Sequence, residues 1–148
     1  MANSLGLFSR GAFLGLVLIM ALYSNAILHE VGHYITADHY GLEPRMYLFD
    51  NGQGTGFSFV NQNFYVTYNK PAKIDNSKME LITFAGPAVN ILLSIVSTIA
   101  LCVTPKRKRL TRLALLIIAT ISALSAIFNL IPTQGSDGET LLKLLKGI

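Results

Sequence analysis

Residues 11–28 read GAFLGLVLIMALYSNAIL, and the chain continues at once as His29-Glu30-Val31-Gly32-His33. The first part is uncharged over a length that approaches the ~18–20 residues a helix needs to cross a bilayer core. The second part places two imidazoles and a carboxylate at the end of that run. Residues i and i+4 share a helix face one turn apart, so both rings can reach one ion. Two imidazoles suit zinc and leave room for a third protein ligand and a water. Glu30 lies beside the first ring, where a carboxylate can take a proton from that water. The bland alternative is two histidines and a glutamate on an ordinary helix. Beside a membrane-length apolar run, three ionisable groups are expensive, and function becomes the default reading.

Working outward, residues 81–103 and 113–131 are also free of Asp, Glu, Lys, Arg and His. Three buried helices of a soluble bundle would need polar outer faces at helical spacing, and none of the three stretches has one. The 148 residues are 51% apolar and only 14% charged, which points the same way. The expected fold is an all-α membrane protein with a small β element, one domain over residues 1–148. Its transmembrane helices should cover about residues 10–40, 79–103 and 110–130.

The net charge of +4 is concentrated in Lys106-Arg107-Lys108-Arg109 and Arg112. Between two spanning segments such a cluster reads as a membrane-flanking loop, not a nucleic-acid surface. Cys102 stands alone, so neither an internal disulfide nor a cysteine-rich zinc site is available. The amino end has signal-peptide features, Arg10, an apolar run and small residues near Ala26. Cleavage there would leave His29 at a frayed terminus, and the run is longer than a signal core, so it reads as a span.

In chain order, the first helix should start near Ser9 or Arg10 and stop at Gly41, with Pro44 beyond it. His33 then lies roughly 12 Å before that end, below one membrane face, side A. Residues 45–68 are aromatic and β-branched around a Gly-rich turn, which predicts a small antiparallel sheet or hairpin at the membrane interface. Phe57, Ser58 and Phe59 supply one candidate exposed edge, and residues 64–68 another. Asn76 or Ser77 is the expected cap of the second span. That span carries Gly86, Pro87 and Asn90: a close-approach site, a possible kink and a polar amide suited to interhelical hydrogen bonding. Pro132 and Gly135 break the chain after the third span. Ser136 and Glu139 then form a capping box for a short amphipathic helix, residues 138–146, along the membrane surface. Counting crossings brings His29, His33, Asn90 and Asp137 to the same half of the bilayer. Asp137, on broken backbone that can line a polar cavity, is the favoured third ligand. Glu139 is its rival, disfavoured by its place in the capping box.

His29-Glu30-Val31-Gly32-His33, Gly86-Pro87-Ala88-Val89-Asn90 and Asn129-x-x-Pro132-x-x-x-x-Asp137-Gly138 resemble, in order and spacing, the site-2 protease family of intramembrane zinc metalloproteases. The resemblance covers nearly the whole chain and implies a minimal three-helix core. It implies one Zn2+ per chain on His29, His33 and Asp137, with Glu30 as catalytic base. It also implies substrate contacts from Asn90 and Asn129, and from the β element around Phe57, Ser58 and Phe59. The implied substrate is a membrane protein with an unwound helix, cut in regulated intramembrane proteolysis. The implied setting is the lipid bilayer of a prokaryotic cell membrane. Ser136 stands where the family commonly has an aliphatic residue, and a single glycine follows Asp137. Two other functions suit the same residues, a membrane-anchored zincin acting on soluble peptides and a non-catalytic zinc-binding scaffold. The intact Glu30 speaks against the last. Orientation is open: Lys and Arg number six on each side, while the family resemblance favours a catalytic face near the cytosol.

Overall fold

The computed structural model describes residues 2–50, 63–69 and 74–147. Its elements follow in the order α1 (Ala2–His39), β1 (Arg45–Asp50), β2 (Asn63–Thr67), α2 (Asn76–Val103), α3 (Arg109–Leu130) and α4 (Asp137–Lys146). Within these, Phe8–His39, Asn76–Val103 and Arg109–Leu130 are long and apolar enough to cross a membrane. The three pack against one another, and α4 and the two-stranded sheet gather at one end.

Burial in this bundle runs opposite to that of a soluble one. The buried residues of α1 include Ala21, Asn25, His29, Gly32, His33 and Ala37, a stripe at helical spacing built from small and polar side chains. In α2 the inward residues include Thr83, Gly86, Pro87, Asn90 and Ser97; in α3 they are Ala119, Ser122 and Ala126. Leu16, Met20, Leu92, Ile99 and Phe128 point outward, each more than half exposed. Between helices in lipid, close approach and hydrogen bonds replace the hydrophobic drive, so small and polar residues go inside. Ser94 donates to the Ala119 carbonyl across the α2–α3 seam at 3.0 Å. Gly32 marks the α1–α2 contact: a Cβ there would lie 2.6 Å from the Ala85 carbonyl oxygen.

An apolar cluster of Ala37, Leu42, Met79 and Ile82 closes the sheet end of the bundle. α1 stops as expected, with Gly41 left-handed at φ 68° and its N–H on the Asp38 carbonyl at 2.8 Å. β1 and β2 pair antiparallel, Arg45 with Thr67, Met46 with Val66 and Tyr47 with Tyr65, before the register shifts by a bulge. Tyr47 and Tyr65 stack at 4.9 Å, and Phe64 meets Tyr23 of α1 edge-on at 6.3 Å, which fixes the sheet against the bundle.

Several boundaries differ from the sequence reading. α1 begins at Ala2: residues 2–9 contain no proline, and the single Gly6 is tolerated. α3, Arg109–Leu130, matches the expected 110–130, with Pro105 just past the end of α2. The cap of α2 is Asp75, not Asn76 or Ser77; its carboxylate accepts from the Ser77 N–H and hydroxyl. A carboxylate acceptor just outside the first turn also meets the helix dipole favourably. Phe57, Ser58 and Phe59, expected on a strand edge, lie outside the described residues.

Candidate metal centre

α1 and the break between α3 and α4 build the centre. His29 and His33 meet edge-to-face one turn apart, with ring centroids at 4.7 Å and planes nearly perpendicular. α4 delivers the third group. Ser136 caps it, accepting from the Glu139 N–H at 3.1 Å, while Glu139 reaches back to the Gly135 N–H at 2.7 Å. Gly135 is left-handed at φ 83°, and Gly138 packs where a Cβ would strike the Leu130 carbonyl. These constraints hold Asp137 against the histidines. Glu139 is further engaged by Lys143 at 2.7 Å, so the rival carboxylate is spent on the cap.

Asp137 Oδ2 lies 3.0 Å from His29 Nε2 and 3.5 Å from His33 Nε2, and the two Nε2 atoms are 3.1 Å apart. A tetrahedral ion with ligands at ~2.0–2.1 Å needs ligand–ligand separations of about 3.3 Å, so this triangle fits one. Asp137 Oδ2 is buried without a well-directed hydrogen-bond partner, as expected of an atom whose lone pair is meant for a cation. Among the described residues, His29, His33 and Asp137 form a group able to hold a metal ion. Burial works to raise the Asp137 pKa, but the neighbouring imidazoles outweigh it and hold the carboxyl below its ordinary value. Asp137 therefore stays an anion, the form a metal needs.

α2 backs both rings. The His33 Nδ1–H donates to the Ile82 carbonyl at 2.7 Å, which leaves Nε2 as the free lone pair. His29 Nδ1 lies 3.3 Å from the Asn90 amide, which also bonds the Ser125 hydroxyl at 2.8 Å. For His29 to ligate through Nε2, its Nδ1 must carry the proton and Asn90 must present its amide oxygen. Gly86 makes this packing possible, because a Cβ there would strike both imidazoles, His29 Cε1 at 2.7 Å. The sequence reading took Gly86 for a helix–helix contact. Its neighbours include both imidazoles of the candidate triad.

A cavity of about 340 Å³ opens beside the triad, and Glu30, Asn129, Thr83, Tyr68 and Val66 are on its wall. Val66 of β2 shares that wall with Glu30, its backbone N–H turned toward the Glu30 carboxylate. In an antiparallel pair, one residue's N–H and C=O point the same way, so the outer edge of β2 faces the site. Asn129 is on the wall, its Nδ2 bonded to the Ser125 carbonyl at 2.9 Å. Asn90, expected to touch substrate, is fully buried behind His29 and off the cavity wall. The helix register that brings it to His29 turns its amide away from the cavity.

Tyr68 and Thr83 were not singled out by the sequence. Burial, then the charge on Asp137, pushes the Tyr68 phenol above its ordinary pKa, so it remains an O–H donor. Pro87 has no N–H, so the Thr83 carbonyl four residues back receives no helical hydrogen bond. The proline was the available signal for Thr83; a tyrosine closing a strand gave none for Tyr68.

Comparison with protein-family models, with curated proteins and with solved structures gives no match to this chain.

Proposed function

We propose that the protein is an integral membrane zinc metalloprotease that cuts transmembrane or membrane-proximal segments of other proteins, as its resemblance to the site-2 proteases implies. One observation carries the reading: two Nε2 atoms and a carboxylate oxygen within 3.0–3.5 Å of one another, sharing a cavity with Glu30. A pure binding site has no use for that carboxylate. A metal on His29, His33 and Asp137 would supply Lewis acidity, polarising a scissile carbonyl and acidifying water. Glu30, on the cavity wall beside the triad, would accept a proton and hand it to the leaving amine. The Asn129 amide and Tyr68 phenol stand on the same wall as donors toward developing oxygen charge.

A helical substrate has its carbonyls bonded and shielded, so it must unwind before cleavage. The outer edge of β2 faces the cavity beside Glu30, and a guest strand added there would present an extended peptide bond to the centre. Main-chain pairing tolerates varied side chains, which suits an enzyme reading unwound membrane segments.

The test is cleavage by the purified protein reconstituted in lipid, with metal content measured on the same sample. One zinc per chain, cleavage of a membrane-embedded helical peptide, loss with a chelator and recovery with zinc are expected. Cleavage of soluble unstructured peptides alone would favour the membrane-anchored zincin instead. One bound zinc with no hydrolysis of either peptide would favour the scaffold.

A further inference from the structure

At the opposite end of the bundle, about 28 Å along α1 from His29, the charge pattern reverses. All eight carboxylates of the chain lie in residues 30–80 and 137–139, on the sheet side. Arg10, Lys106, Arg107, Lys108, Arg109 and Arg112 occupy the other end with no acidic residue among them. Arg112 is spoken for: its guanidinium donates to the Leu101 and Thr104 carbonyls at 2.8 and 2.7 Å and caps α2. Arg10, Arg107, Lys108 and Arg109 instead line a cavity of about 530 Å³ between the third and fourth turns of α1 and the α2–α3 turn. Leu14 and Leu113 continue its wall toward the apolar flank of the helices.

We infer that this cavity binds the headgroup of an anionic phospholipid, its phosphate among the four cations and its acyl chains along Leu14 and Leu113. Like-charged side chains brought together from distant parts of the chain repel one another unless an anion joins them. No side chain of this protein can be that anion at this end. The leucine wall selects an amphiphile over a free ion, and the position at the end of three membrane-length helices is headgroup depth. The first turn of α3 adds to the field, having neither an acidic residue nor a side-chain cap. This inference rests on the membrane reading and is independent of the protease reading.

The test is native mass spectrometry of the detergent-solubilised protein titrated with phosphatidylglycerol or phosphatidylcholine, with inorganic phosphate as competitor. The wild type should retain phosphatidylglycerol preferentially, and excess phosphate should displace it only weakly. Each of Arg10→Gln, Arg107→Gln, Lys108→Gln and Arg109→Gln should weaken retention about fivefold. Arg45→Gln and Lys143→Gln, on the sheet side, should not. Should Arg107→Gln or Arg109→Gln fold poorly, Arg10→Gln and Lys108→Gln alone decide. Equal retention of the two lipids, unchanged retention in the variants, or full displacement by phosphate would overturn the inference. A protein that stays in aqueous solution without detergent and retains neither lipid would overturn the membrane reading with it.

Discussion

Gly11 and Gly15 in the first half of α1 have nothing within 4 Å of where a Cβ would stand, whereas Gly32 in the second half faces the Ala85 carbonyl. The same helix is thus two regions. Its first half is clothed in exposed Leu, Ile and Met, and needs only to be apolar and long. Its second half carries His29 and His33 against α2, where Gly86 accepts the rings and Ile82 and Asn90 hold their outer nitrogens. Lipid-facing surface tolerates exchange of one apolar residue for another, while a ligand set holds only if its supporting shell is specified.

The largest effect should come from Gly86→Ala, whose new Cβ occupies the space of both imidazoles. Metal affinity should fall by more than the roughly 10–100-fold that a lost outer partner costs. Isothermal titration with zinc measures it; wild-type affinity would mean that the rings do not pack where α2 holds them. Asp137→Asn should come next, removing an anionic ligand while keeping its shape. Glu139→Gln should leave zinc affinity near wild type and lower stability by only about 0.2–0.5 kcal/mol, since glutamine still serves the capping box and only the i,i+4 pair with Lys143 is lost. Loss of metal in Glu139→Gln but not in Asp137→Asn would exchange their roles.

Asn90 sharpens the comparison further. Asn90→Leu removes the acceptor behind His29 and should cost roughly 10–100-fold in zinc affinity, whereas Asn90→Asp, which still accepts, should retain most of it. If both variants hold zinc normally and only KM changes, Asn90 acts on substrate after all. The smallest effect belongs to Gly15→Ala, which meets open space and should raise helix stability by up to about 1 kcal/mol. Impaired metal binding in that variant would show that the first half of α1 is coupled to the centre.

Much of the second half was legible because its signals are local. The i, i+4 histidines, the Gly41 stop and the Ser136–Glu139 box each depend on a few neighbouring residues, and the fold contains them as read. Length and charge-free composition likewise marked the three membrane-length helices. Helix starts were read late because charged and polar residues extend a helix beyond its apolar stretch. The role of Asn90 was not legible, since its partner His29 lies 61 residues away and helix rotation decides which face each presents. Tyr68 and the β2 edge reach the cavity only through the way the sheet packs on Tyr23 and the end of α1.

The central claim, that Glu30 makes a metal site into a hydrolase, is tested most directly by Glu30→Gln. The amide preserves shape and cannot take a proton. Measured side by side with the wild type in the same lipid, the variant should bind one zinc per chain with unchanged affinity. Its turnover of a membrane-embedded peptide should fall by about 10²–10⁴-fold. Wild-type turnover in a zinc-loaded Glu30→Gln preparation would contradict the account.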